Sequence, residues 1–142
     1  LGEVLLTPTR VYAKHCLQLI QELNGDGDER PLHAMSHITG GGFAANLARV
    51  VPDGLAVTID RSTWTPQPVF GLVGELGHVP RHELEKTLNM GIGMVAVVAP
   101  DAADRAVAAL AERGVYAWVC GEVSGTTQGA GGTVELRGDH PA

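Results

Sequence analysis

A chain of 142 residues with 44% apolar and 18% charged residues is ordinary for one soluble domain built on a single core. Its formal charge of −6, from 16 acidic and 10 basic residues with no run of Lys or Arg, argues against nucleic acid as the main partner. No apolar run approaches the ~18 residues of a membrane span and no signal peptide is visible, so a cytoplasmic protein away from membranes is expected.

The spacing predicts a helix over 7–24, with Thr7 as its cap, Pro8 in its first turn and Val11, Leu17, Ile20 and Leu23 on its apolar stripe. A solvated loop over 25–30 follows. Residues 32–38 read as a strand that delivers Gly40, Gly41 and Gly42 to a helix over 43–50, which Pro52 closes. A strand is predicted over 54–59. Helices follow over 69–76, with Pro66 and Pro68 at its start, and over 81–88. Residues 93–98 read as a buried strand. The helix over 101–113 is the clearest, opened by Pro100 and Asp101 and ended by Gly114. Strands over 115–123 and 133–137 finish the chain, either side of a glycine-rich turn over 125–132. Such mixed alternation predicts an α/β (α+β) fold, with helices packed on a mixed β-sheet in a single domain over 1–142.

The strongest local feature is residues 37–42, HITGGG, running into Phe43, Ala44, Ala45 and Asn46. Glycine leaves no Cβ to block a ligand and admits positive φ, and unpaired N–H groups at a helix start favour an anion. Phosphate binding and a tight structural turn both fit. The loop is not a Walker A motif, because no Gly-Lys-Ser/Thr follows. His37 either orients a ligand or holds the turn, and Thr39 supplies a hydroxyl. A second cluster, Asn89, Met90, Gly91, Ile92 and Gly93, precedes a strand, the wrong order for a dinucleotide fingerprint. Close packing of that loop on a helix is the simpler reading, with Asn89 either bonding a ligand or capping the turn.

Other residue types carry less. His33 with His37, and His78 with His82, stand four apart, but no carboxylate cluster completes a zinc site around either pair, so no metal ligand is expected in this chain. The two cysteines, Cys16 and Cys120, suggest neither a metal site nor a disulfide framework. Asp60 and Glu75 are general acids by residue type alone, and Asp60, with Ser62 and Thr63 after it, fits a turn cap equally well. Trp64 and Trp118 read as core or interface residues. No residue is assigned to catalysis.

Several stretches together resemble the aminoimidazole ribonucleotide synthetase family: TPTRVYAK at 7–14, HITGGGFAANLARVVP at 37–52, DRSTW at 60–64, Pro68-Val69-Phe70, Gly77, Glu83, and TLNMGIGM at 87–94. The matches run in order over about residues 1–123. Leu88, Ala45 and Leu84 depart from the family's usual pattern, and none of them removes a loop glycine. The resemblance implies the C-terminal half of a two-domain enzyme, a phosphoribosylformylglycinamidine cyclo-ligase of purine biosynthesis. An N-terminal domain of the same protein would then be its partner, and a homodimer is expected at full length.

The implied reaction closes formylglycinamidine ribonucleotide to aminoimidazole ribonucleotide with ATP, and magnesium ligands are expected in the other domain. His37, Thr39, Gly40, Gly41, Gly42, Asn46, Asn89 and Arg10 are the expected substrate- or phosphate-binding residues. On this reading Gly41→Val removes phosphate binding and leaves the domain folded. Two other functions remain open: a small-metabolite-sensing α/β module, and another ATP-dependent member of the same superfamily.

Overall fold

The structure, a computed structural model, describes residues 1–25, 27–125 and 132–141. Its elements in chain order are α1 (Gly2–Leu5), α2 (Ala13–Asn24), β1 (Leu32–His37), α3 (Gly42–Ala48), β2 (Leu55–Asp60), α4 (Pro68–Gly77), α5 (Arg81–Thr87), β3 (Met94–Val98), α6 (Ala103–Ala111), β4 (Gly121–Gly125) and β5 (Thr133–Arg137). Helices accompany a mixed sheet, as expected of an α/β fold. The chain gathers into two compact units, one made of Leu1–Arg10, Ser36–Val95 and Cys120–Ala142, the other of Val11–Met35 and Ala96–Val119.

In the first unit β2 lies between β4, antiparallel, and β5, parallel. Val57 is paired with Val123 and Val134, and Ile59 with Leu136, so apolar side chains share one face while Thr58, Glu122 and Glu135 share the other. Both α5 and β5 pack against α3. Ile38 and Leu47 are completely enclosed, and Phe43, Val57 and Ile59 are buried with them. Full burial of one such side chain contributes roughly 1.5–3 kcal/mol.

The second unit has its own core, in which Leu19, Leu23, Leu32, Ala106 and Ala109 are buried and Met35, Val98 and Leu110 pack around them. The small side chains of Ala106 and Ala109 suit the packing of α6 against α2. Asn24, the last residue of α2, clasps the start of β1: its Nδ2 donates to Leu32 O at 2.8 Å, and Leu32 N–H donates to its Oδ1 at 2.9 Å.

Three sequence expectations change. The helix expected from residue 7 starts only at Ala13, as α2, and Thr7 Oγ1 donates back to Glu3 O in α1, so it caps no later helix. Leu19 and Leu23, four apart, take the core position, while Val11, outside the helix, and Leu17 and Ile20, on it, are exposed. The strand expected over 115–123 begins only at Gly121, because β2 runs out: Asp60 N–H to Cys120 O is the last bond in that ladder. Most of the glycine-rich turn over 125–132 lies outside the described residues.

Candidate functional site

The strand β1 ends at His37, and the loop turns over Thr39, Gly40 and Gly41 into α3, with Gly42 N–H donating to Thr39 O at 3.2 Å. Gly41 and Gly42 have φ of +99° and +76°, a conformation that side chains rarely adopt. Gly42 is also crowded, since a Cβ there would meet the carbonyl oxygen of Glu85 at 1.8 Å. Gly40 differs: its φ is ordinary, and a Cβ there would have no neighbour within 4 Å. Its surroundings within the chain do not demand a glycine.

Asn46 is buried, and its Nδ2 reaches the carbonyls of Thr39 at 3.2 Å, Gly40 at 3.2 Å and Gly42 at 2.7 Å. Its own carbonyl accepts from Ser36 Oγ at 2.9 Å. Asn46 ties three loop carbonyls to α3 in this way. The structure thus brings Thr39, Gly40, Gly41, Gly42 and Asn46 together, with Asn46 as the staple beneath. His37 is exposed at the end of β1, and Arg10 is exposed between α1 and α2.

Asn89 Oδ1 accepts from Gly91 N–H at 3.0 Å, so Asn89 caps the turn that leads to β3. The same turn packs against the start of α4, where a Cβ on Gly91 would stand 3.1 Å from Gln67 Oε1. Asp60 is also a cap, its Oδ1 accepting from Ser62 N–H at 2.8 Å. That bond holds its carboxyl below the usual range. Burial pushes the thiols of Cys16 and Cys120 up from the ordinary cysteine value, which favours their protonated form. Among the described residues no three His, Cys, Asp or Glu side chains converge to hold a metal.

Behind the loop lies a polar cluster that the sequence reading missed. Glu85, buried on α5, accepts from Arg61 through both oxygens, Nε to Oε1 at 2.9 Å and Nη2 to Oε2 at 2.7 Å, and from Arg81 Nε at 3.3 Å. Burial alone would raise its pKa, but the bonds and charges of Arg61 and then Arg81 outweigh burial and hold it below the ordinary glutamate value. Arg61 Nη1 also donates to Leu136 O at 2.7 Å. His140 Nδ1 sits 3.0 Å and 3.1 Å from the carbonyls of Arg61 and Trp64, so the tautomer with its proton on Nδ1 fits. The Trp64 ring packs edge-on against His140, with centroids 4.5 Å apart, and stacks with Phe43 at 5.9 Å. The void left there is 10 Å³, space for about one water.

One sequence signal pointed to this cluster, an acid at the core-facing position beside Leu84 in RHELEKT. Nothing in the sequence pairs it with Arg61 or His140, which are 24 and 55 positions away.

The family model for the C-terminal domain of AIR synthase related proteins matches residues 1–133. The chain is 59% identical, over 144 aligned positions, to a candidate phosphoribosylformylglycinamidine cyclo-ligase of Streptomyces fradiae, covering 99% of this chain and 74% of that protein. It is 46% identical to the phosphoribosylformylglycinamidine cyclo-ligase of Anaeromyxobacter sp. (strain Fw109-5) and 43% identical to that of Anaeromyxobacter dehalogenans (strain 2CP-1 / ATCC BAA-258), in each case over 87% of this chain and 34% of the relative. The chain therefore spans about a third of the length of the two Anaeromyxobacter enzymes. With its glycine loop, mixed sheet and these matches along almost its whole length, the chain belongs to the family of AIR synthase related proteins, as their C-terminal domain.

Proposed function

We propose that this chain is the C-terminal part of a phosphoribosylformylglycinamidine cyclo-ligase, which converts formylglycinamidine ribonucleotide and ATP into aminoimidazole ribonucleotide, ADP and phosphate. Support comes from family membership together with relatives named for that reaction. The single structural observation that carries it is Gly40, a loop glycine whose conformation and surroundings do not require it to be one. The open space around it leaves room for an anion to approach its backbone.

The formyl oxygen is a poor leaving group. Phosphoryl transfer from ATP to it creates a good one, which the ring-forming nitrogen displaces as phosphate departs. The contribution of this chain is to place a phosphorylated reactant, through Gly40, Gly41 and Gly42 with Thr39 and His37 beside them. Asn46 shapes the loop from beneath, while Asn89 and Arg10 are further contacts of the proposed site. Among the described residues no three His, Cys, Asp or Glu side chains converge on a metal, and the magnesium ligands belong on this reading to the N-terminal domain. A cytoplasmic enzyme, working as a homodimer with an N-terminal domain of the same protein, completes the proposal. Among the described residues no helix is long and apolar enough to cross a membrane.

ATP-dependent ring closure is the decisive assay, run on this chain alone and on a longer protein that adds a family N-terminal domain. Turnover only in the longer protein is expected. Turnover of a different phosphorylated substrate by that protein, with none of formylglycinamidine ribonucleotide, would redirect the assignment within the superfamily. Within the loop, Gly40→Val is the informative variant, since it has room and an ordinary φ. Gly41→Val, at φ +99°, strains the backbone whatever it does to a ligand. Gly40→Val is expected to melt like the wild type and to raise the KM of one phosphorylated reactant at least about tenfold.

A further inference from the structure

We infer that the Arg61–Glu85 ion pair is the positioning device of the glycine loop, fixing the stretch of α5 main chain against which Gly42 rests. The inference builds on the reading of residues 39–42 as the phosphate-binding loop.

Glu85 faces two ways. Its carbonyl oxygen lies where a Cβ of Gly42 would be, with its carbonyl carbon 2.9 Å and that of Lys86 3.1 Å from the same point, so the loop touches α5 backbone to backbone. Its carboxylate, on the same residue, is gripped by the Arg61 guanidinium at 2.9 Å and 2.7 Å. Arg61 is itself anchored, by its place in the turn after β2 and by Leu136 O at the end of β5. A planar fork with two parallel bonds fixes both distance and direction, which a single point charge does not. The sheet therefore sets the position of α5 at Glu85, and α5 at Glu85 sets the floor under Gly42. A loop that binds phosphate through backbone N–H groups has no side-chain freedom with which to correct a displaced floor. A small shift there misaligns the donors directly.

The experiment uses the longer enzyme that carries this chain and measures Tm, kcat and the KM values for formylglycinamidine ribonucleotide and for ATP. The loop's ligand is the reactant whose KM rises in Gly40→Val. In Arg61→Lys and Glu85→Gln that same KM is expected to rise about tenfold, with the other KM and kcat little changed. The double variant Arg61→Met with Glu85→Leu replaces the buried pair by apolar side chains of similar volume. It is expected to recover the wild-type Tm and to keep the raised KM, a split that a merely stabilising pair would not produce. If these variants lower Tm but leave the Gly40-sensitive KM at its wild-type value, the inference is overturned and the loop assignment stands. If Gly40→Val itself changes neither KM, the loop assignment fails and this inference falls with it. Should Glu85→Gln not fold, Arg61→Lys, which keeps both charges, decides the matter alone.

Discussion

At the scale of single residues, the buried carboxylate of Glu85 ties stability to pH. Its pKa in the folded protein lies below the ordinary value of 4.5, so the ionised form stabilises the fold. That stabilisation is fully present above pH 4.5 and is lost as pH falls through the lower folded value. Replacing one partner of a buried, charge-assisted bond costs about 1.5–3 kcal/mol, and Glu85→Gln is expected to lose stability of that order at pH 7. The difference from wild type should shrink as the pH is lowered below 4.5, which thermal melts of both proteins over an acidic pH series would reveal. A constant difference across the series would mean that the carboxylate's charge contributes nothing. The exposed carboxylates that also titrate low, Asp60 with Ser62, Glu83 with Lys86 and Glu135 with Arg137, sit in water, where such pairs contribute little.

Among the elements, α2 is tied to β1 by one side chain. The two bonds between Asn24 and the backbone of Leu32 satisfy an amide N–H and a carbonyl at the point where the chain leaves the helix and enters a strand. Asn24→Ala removes both and leaves those backbone groups to find new partners, at a cost of about 1–3 kcal/mol. Urea unfolding is expected to shift to a lower midpoint, with an unchanged slope if the native state stays compact. The same element shows how far periodicity reaches. It established that a helix lies here, yet Leu17, Leu19, Ile20 and Leu23 are all apolar and more than one stripe can be drawn through them. Which pair is buried, Leu19 with Leu23, depended on α6 presenting Ala106 and Ala109 to them. The strand β4 is a second case: its start is dictated by the end of β2, an element some 60 positions earlier in the chain.

On the scale of the whole molecule, each unit is assembled from separated segments. The second unit joins Val11–Met35 to Ala96–Val119 across 60 residues that belong to the first, and the first closes only with the strands after Cys120. Contacts of that range carry no local sequence signature. What the sequence alone determined is local: the order and type of nearly all elements, the glycine loop between β1 and α3, and the motifs that resemble the family to which the chain belongs. Periodicity, proline and glycine act within a few residues, so a reading along the chain recovers them. Tertiary structure alone decided which loop glycine has open space around it, that Asn46 braces the loop from beneath, and that Arg61, Glu85 and His140 form one cluster behind it. The cluster is a meeting of residues far apart in sequence, and the loop's bonds to Asn46, though only four to seven positions long, depend on how the backbone turns; only the folded backbone sets such distances.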